Sequence, residues 1–152
     1  MDLDQAVSAL LTFEGVVDLA PEEGSEFPPI AWGDHFFYYS PDGSVPQNRQ
    51  PFATIVTKDY PDDAQSQLDP DGRWRLNVHV GRASLRELVG EVNGGVDGAR
   101  DYSETDVILP HPVYGPLGWI AVVNPGPRTE SVVLELLAAA HRDDLRRVER
   151  RA

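Results

Sequence analysis

Residues 73–80, RWRLNVHV, alternate between polar and apolar side chains along their whole length. Successive side chains of a β-strand point to opposite faces of a sheet, so such a strand has one apolar and one polar face. The apolar set is Trp74, Leu76, Val78 and Val80, and the polar set is Arg75, Asn77 and His79. The stretch therefore predicts a half-buried strand of an antiparallel sheet.

Three further segments predict strands around this one. Residues 35–39 (HFFYY), 52–58 (FATIVTK) and 117–124 (LGWIAVVN) are rich in aromatic or β-branched side chains, which strands favour. Residues 40–43 (SPDG) and 69–72 (DPDG) have proline and glycine where turns use them. These connections are too short for the crossover helices of a parallel sheet, which favours antiparallel pairing.

Helical periodicity appears at both ends of the chain and once between. Residues 2–12 predict a helix that begins with a capping box of Asp2 and Gln5. A second capping box at Ser84 predicts a short helix over residues 85–89, and a long helix should begin at Glu130. Residues 109–116 contain three prolines and predict an irregular, stiff loop.

The predicted fold class is α+β. We expect an antiparallel sheet of about five strands, with an N-terminal helix, a short middle helix and a long C-terminal helix packed on it. The length of 152 residues favours a single domain over residues 1–152. Residues 91–102 contain three glycines and predict a flexible loop, and residues 142–152 predict a charged helix end.

The charge balance limits the partners. Twenty-five acidic residues against 13 basic ones give a net charge of -12, which repels a nucleic acid backbone. The arginines after residue 141 are the one candidate basic patch, although arginines near a helix C-terminus also complement its dipole. No apolar run is long enough for a membrane helix. The acidic start at residues 1–4 does not resemble a signal peptide, so we expect a cytoplasmic protein.

No standard catalytic, nucleotide-binding or cofactor-binding motif occurs in the chain. Cysteine is absent, which excludes disulfides, thiolate metal sites and thiol nucleophiles. The four histidines are His35, His79, His111 and His141, and no two are three to five residues apart. The sequence therefore encodes no local metal pair, and we predict neither a metal nor a cofactor.

The polar face of residues 73–80 is the main candidate site. Arg75, Asn77 and His79 form one row, and Lys58 lies on a neighbouring predicted strand. If these groups gather in a hollow, they suit a small anionic or carbonyl-containing ligand held by a guanidinium. The alternative is a solvated outer face on which Arg75 pairs with a nearby carboxylate.

Trp32, Asp34 and His111 are candidates for the mouth of the same pocket. Trp32 could line it, Asp34 could orient a histidine or arginine, and two prolines hold His111. Each also has a structural interpretation, as cover for a sheet end, a turn cap and a rigid loop. A protein-interaction or dimerisation module, monomeric or homodimeric, is the alternative function. An enzyme with His79 or His111 as general base, oriented by Asp34, is a third hypothesis.

Four segments together resemble a family of known sequence but unknown activity. The segments are residues 32–39 (WGDHFFYY), 51–60 (PFATIVTKDY), 75–78 (RLNV) and 109–119, which contains LPHPVYG and GW. They resemble an uncharacterised actinobacterial domain of unknown function, over about residues 28 to 145. More distantly the chain is similar to the YjbR/MmcQ-like fold. That similarity implies a curved antiparallel sheet, a histidine-bearing loop before a tryptophan-containing strand, and a closing helix.

Overall fold

The computed structural model describes residues 1–91 and 100–151. The predicted flexible loop at 91–102 falls mainly on residues 92–99, outside the described residues. The helices are α1 (Leu3–Leu11), α2 (Arg82–Val89) and α3 (Glu130–Arg151), and single 3₁₀ turns lie at Pro29–Ala31 and Gly115–Leu117. The strands are β1 (Val16–Leu19), β2 (His35–Tyr39), β3 (Ala53–Val56), β4 (Arg75–His79), β5 (Leu109–Pro110) and β6 (Trp119–Val123).

The strands form one antiparallel sheet in the order β1-β2-β3-β4-β6-β5. The predicted α+β class and its three helices are confirmed. The described sheet has six strands rather than about five. One of them, β5, lies in the stretch predicted to be wholly irregular, because Leu109 and Pro110 pair with Ala121 and Ile120 of β6.

The alternation along β4 sets the two faces of the sheet. Leu76 and Val78 lie in the main apolar core, together with side chains of the neighbouring strands and of all three helices. Leu76 is paired with Ile55 of β3 and Val122 of β6, which belong to the same core. The helices therefore cover this face, and Arg75 and Asn77 belong to the opposite face.

The start of α2 differs from the prediction. The helix begins at Arg82, after Gly81 with φ 86°, and Ser84 lies inside the helix rather than at its cap. The amides of Val80 and Gly81 both donate to the carbonyl of Gly118, so the chain turns away from β4 before it reaches Ser84. The capping box of Asp2 and Gln5, in contrast, is present as predicted.

A long connection covers the face of the sheet opposite the helices. Residues 57–74 join β3 to β4, and their Leu68 and Tyr60 pack against Val56 and Val123 of the sheet. Leu68 is 1% exposed, so this connection shields the sheet from solvent as a core element does. Arg75 and Asn77 of β4 consequently face the interior, beneath residues 57–74.

Candidate functional site

Arg75 lies in the interior of the protein, with only 1% of its surface exposed. Its Nε donates to Asn77 Oδ1 at 2.8 Å, and its Nη1 donates to Asp63 Oδ1 at 2.9 Å and Ser66 Oγ at 3.0 Å. Its Nη2 donates to Asp63 Oδ2 and also lies 3.1 Å from His111 Nε2. Four of its five N–H groups therefore donate to an oxygen within the protein, and the fifth lies against the His111 ring.

Asp63 balances the charge of this buried guanidinium. The two side chains form a bidentate pair, the strongest arrangement between these groups. Burial alone would raise the pKa of Asp63, but its hydrogen bonds to Arg75 and the nearby positive charge outweigh burial and lower that pKa. Asp63 therefore stays ionised at neutral pH, and Arg75 is not an unpaired buried charge.

His111 closes the other side of the Arg75 network. The backbone amides of Val113 and Tyr114 both donate to its Nδ1 at 3.0 Å, so a neutral ring carries its proton on Nε2. That nitrogen lies 3.8 Å from Asp63 Oδ2. Burial, followed by the neighbouring charge of Arg75, lowers the pKa of His111 to about 3. The ring is thus neutral at physiological pH.

Asp34, Lys58 and Trp32 form a second cluster. Asp34 is fully buried, and its Oδ1 accepts the amide and hydroxyl of Thr57 and the Lys58 ammonium, the last at 2.8 Å. The hydroxyl of Tyr60 donates to Asp34 Oδ2, and Lys58 also donates to the carbonyl of Trp32. Burial and then the bond to Asp34 raise the pKa of Tyr60, which therefore remains a protonated donor.

The two clusters fasten the same connection to the sheet. Tyr60 and Asp63 exchange two backbone hydrogen bonds across a tight turn. The side chain of Tyr60 belongs to the Asp34 cluster, and that of Asp63 belongs to the Arg75 network. Arg75, Asn77 and His111 thus meet in one network, and Trp32, Asp34 and Lys58 meet in another. Every oxygen of Asp34 is used by Thr57, Lys58 or Tyr60, so it does not orient a histidine.

A hollow of about 480 Å³ lies beside the second cluster, and Trp32, Asp34 and His35 form part of its wall. Glu22 and Glu23, both exposed, lie at its edge. The carboxylates at this edge repel anions, and Lys58, which contacts Asp34 of the wall, is paired with that carboxylate. This hollow is therefore poorly suited to the anionic ligand that the sequence suggested.

His79 lies apart from both clusters, at the other end of β4. Its ring packs against Trp119 at a centroid distance of 5.4 Å and an angle of 62°. The two side chains line a depression of about 390 Å³ with the chain before β3 and the last turns of α3. The other lining residues are Asn48, Arg49, Gln50, Pro51, Phe52, Leu117, Asp144, Arg147 and Arg151.

The charges around this depression are mainly positive. Arg49 is paired with the buried Asp144 at 3.0 Å and also donates to the carbonyl of Tyr39. Arg147 and Arg151 are one helical turn apart, and neither forms an ion pair with a side chain among the described residues. Among the lining side chains, three guanidinium groups against one carboxylate leave two positive charges. The volume lies in the range of small-ligand sites, and the lining combines four apolar residues with seven polar or charged ones.

His79 adds no further charge to the depression at neutral pH. Burial lowers the pKa of its imidazole, and the nearby charge of Arg147 lowers it further. Asp143 and Asp144 act in the opposite direction but do not offset these effects. The ring is therefore a neutral hydrogen-bonding group beside the arginines.

Several residues of these sites escaped the sequence analysis. Asp63 and Ser66 lie in a connection with many similar acids and carry no distinguishing pattern. Arg49 is an isolated basic residue whose partner, Asp144, is 95 positions away. The four-residue spacing of Arg147 and Arg151 is the sequence signal that could have indicated this site, because residues four apart lie on the same face of a helix. Those arginines lie in the segment that the sequence predicts to be a charged helix end, residues 142–152.

Comparison with known families gives one match, which covers the whole chain. A model of DUF6194, a family of unknown function, matches residues 1–152. The chain belongs to the DUF6194 family. Comparison of this DUF6194 chain with curated proteins and with solved structures gives no match. The family assignment agrees with the resemblance to a domain of unknown function, and the more distant similarity to the YjbR/MmcQ-like fold stays a prediction.

Two features are absent from the described part of this DUF6194 chain. Within residues 1–91 and 100–151, no helix has the length and apolar character required to cross a bilayer. In the same residues, no three histidine or acidic side chains are grouped as metal ligands. The candidate site is the depression around His79, because its lining includes Arg147 and Arg151.

Proposed function

We propose that this protein binds a small anionic molecule, without covalent chemistry, in the depression between His79 and the end of α3. The observation that carries the proposal is the pair of arginines, Arg147 and Arg151, which have no carboxylate partner within residues 1–91 and 100–151, on a protein with net charge -12. Guanidinium groups left unpaired at a concave surface favour an anion that completes their hydrogen bonds.

The position of the site follows from the contacts of Arg75. Four of its five N–H groups have acceptors within the protein, and residues 57–74 lie over the side chain, so a ligand would reach it only by displacing them. Of the predicted row, His79 alone lines a depression with unpaired positive charge. The proposal therefore keeps the anionic ligand class and moves the contacts from Arg75 to the arginines of α3.

The experiment measures anion binding by the wild type and by two matched double variants. Isothermal titration calorimetry with phenyl phosphate, benzoate and inorganic phosphate is performed at pH 7.5 and low ionic strength. The variant R147Q/R151Q should weaken binding by about tenfold or more, since one hydrogen bond to a charged group contributes about 1.5–3 kcal/mol. The control R142Q/R146Q removes the same charge from the same helix outside the depression, and should change affinity less than about threefold, through screening alone.

Two results would contradict the proposal. One is the absence of heat or of thermal stabilisation with every anion in the panel. The other is equal weakening in R147Q/R151Q and R142Q/R146Q, which would mean that the helix attracts anions through its total charge and has no defined site.

A second candidate function, protein interaction, is favoured by exposed apolar side chains near the same depression. Tyr114 and Leu117 are 46% and 54% exposed, and Leu88 of α2, whose helix contacts the Gly115–Leu117 turn, is 37% exposed. Single exposed apolar residues are common, but a group of them also occurs where proteins associate. Sedimentation of a monomer at 100 µM or higher would count against a homodimer formed through this surface.

A further inference from the structure

We propose that the anion bound in the depression is a phosphate monoester with an apolar organic group. This inference rests on the proposed function and adds the chemical class of the ligand. It follows from three features of the depression: the number of unpaired charges, the spacing of the arginines that carry them, and the apolar wall beside them.

The number of charges favours a dianion. Arg49 is neutralised by Asp144, and His79 is neutral, which leaves the charges of Arg147 and Arg151. A phosphate monoester carries a charge of about -1.5 to -2 at pH 7, whereas one carboxylate carries -1. A single carboxylate would therefore leave one of the two guanidinium groups uncompensated.

The spacing of the two arginines suits a group with three terminal oxygens. Arg147 and Arg151 are four residues apart on α3, about 6 Å along the helix axis, and occupy the same side. The Nε of Arg147 donates to the carbonyl of Asp143 at 3.3 Å, so its two terminal nitrogens remain for a ligand. One carboxylate has two oxygens in a single plane, whereas a phosphate has three terminal oxygens arranged around phosphorus and can accept from both guanidinium groups at once.

The apolar wall indicates what is esterified to the phosphate. Leu117 and Trp119 line the depression beside the arginines. Leu117 is 54% exposed, so an organic group that covered it would remove apolar surface from water. Free inorganic phosphate would leave this wall uncovered. Nucleic acid is disfavoured because a polyanion extends beyond the depression over a strongly acidic surface.

The experiment compares four probes by calorimetry at pH 7.5. Phenyl phosphate has two charges and a ring, inorganic phosphate lacks the ring, benzoate has one charge, and phthalate presents two charges on two carboxylates. We expect phenyl phosphate to bind about tenfold more tightly than each of the others.

Two single variants test the contacts separately. R151Q should weaken phenyl phosphate by about tenfold and leave benzoate within about threefold, because one remaining guanidinium satisfies one carboxylate. L117N should weaken phenyl phosphate more than inorganic phosphate. R150Q, an exposed neighbour outside the depression, serves as the charge control and should leave all four affinities within about threefold.

The outcomes separate this inference from the proposed function. If benzoate or phthalate binds as tightly as phenyl phosphate, the monoester is overturned while anion binding stands. If inorganic phosphate binds as tightly, the organic group is overturned. If no probe binds, both proposals fail. If R150Q acts like R151Q, the attraction is non-specific and both fail.

Discussion

Replacing Asp63 by asparagine should destabilise the protein strongly, because it removes the counter-charge of a buried arginine. Asp63 accepts N–H groups from both terminal nitrogens of Arg75, which is 1% exposed. Removing one partner of a buried ion pair costs about 3–5 kcal/mol. The Asp63 side chain is itself 13% exposed, which admits some water, so we expect about 3 kcal/mol, the lower end of that range.

The assay is equilibrium urea unfolding at pH 7, followed by tryptophan fluorescence. Trp74, one of three tryptophans, is 6% exposed in the folded chain and reports its unfolding. Asp62→Asn is the matched control, because Asp62 is an exposed neighbour of the same charge, and such changes alter stability by about 0.5 kcal/mol or less. The double variant D63N/R75M should lose less than the sum of the two single variants, since no buried charge is left unpaired.

The reasoning would be refuted by a specific pattern. If Asp63→Asn and Asp62→Asn lose equal stability, the Arg75–Asp63 pair contributes nothing and residues 57–74 do not shield it. If the double variant loses the full sum, the two side chains do not interact. Either result would reopen Arg75 as a group available to a ligand.

Two further predictions concern stability. The pKa of His111 is lowered to about 3 in the folded protein, against about 6.5 in the unfolded chain. Between these two pH values the unfolded chain binds a proton that the folded chain does not, so the free energy of unfolding falls as the pH falls. His111→Gln should reduce the slope of unfolding free energy against pH, between pH 6.5 and 5, by up to about 1.4 kcal/mol per pH unit. His79 is left in place in this variant, because its pKa is also lowered and contributes to the slope in the same direction. An unchanged slope, measured by urea unfolding at each pH, would show that His111 is protonated when folded. Gly118→Ala should lower the stability measured by thermal unfolding more than Gly43→Ala does. Both glycines have positive φ, which costs an alanine about 1–3 kcal/mol of strain, but of the two only Gly118 would place a Cβ 2.8 Å from the backbone of Gly81. Equal losses of stability in the two variants would contradict that close approach.

The local patterns of the sequence predicted the elements of the fold well. The alternation along residues 73–80 correctly separated Leu76 and Val78, which enter the core, from Arg75 and Asn77. The capping box at Asp2 was also correct. Both signals depend on residues close in sequence, whose geometry the backbone itself determines.

The environment of the polar row could not be predicted in the same way. Alternation shows that Arg75 and Asn77 share a face, but not what covers that face. The cover is residues 57–74, and its attachment through Asp63 depends on contacts 12 positions apart in sequence. The start of α2 after Gly81 likewise depends on hydrogen bonds to Gly118, 37 positions later. Local capping rules do not include such distant contacts.

The short strand β5 has a consequence for how this sheet meets other chains. It consists of two residues, Leu109 and Pro110, and is the last strand on its side among the described residues. Proline has no amide hydrogen to offer a further strand, and a two-residue template is too brief to align one. The β5 edge of the sheet therefore hinders the addition of strands from other chains, as occurs in fibril growth. Such addition would have to begin at the opposite edge, formed by β1.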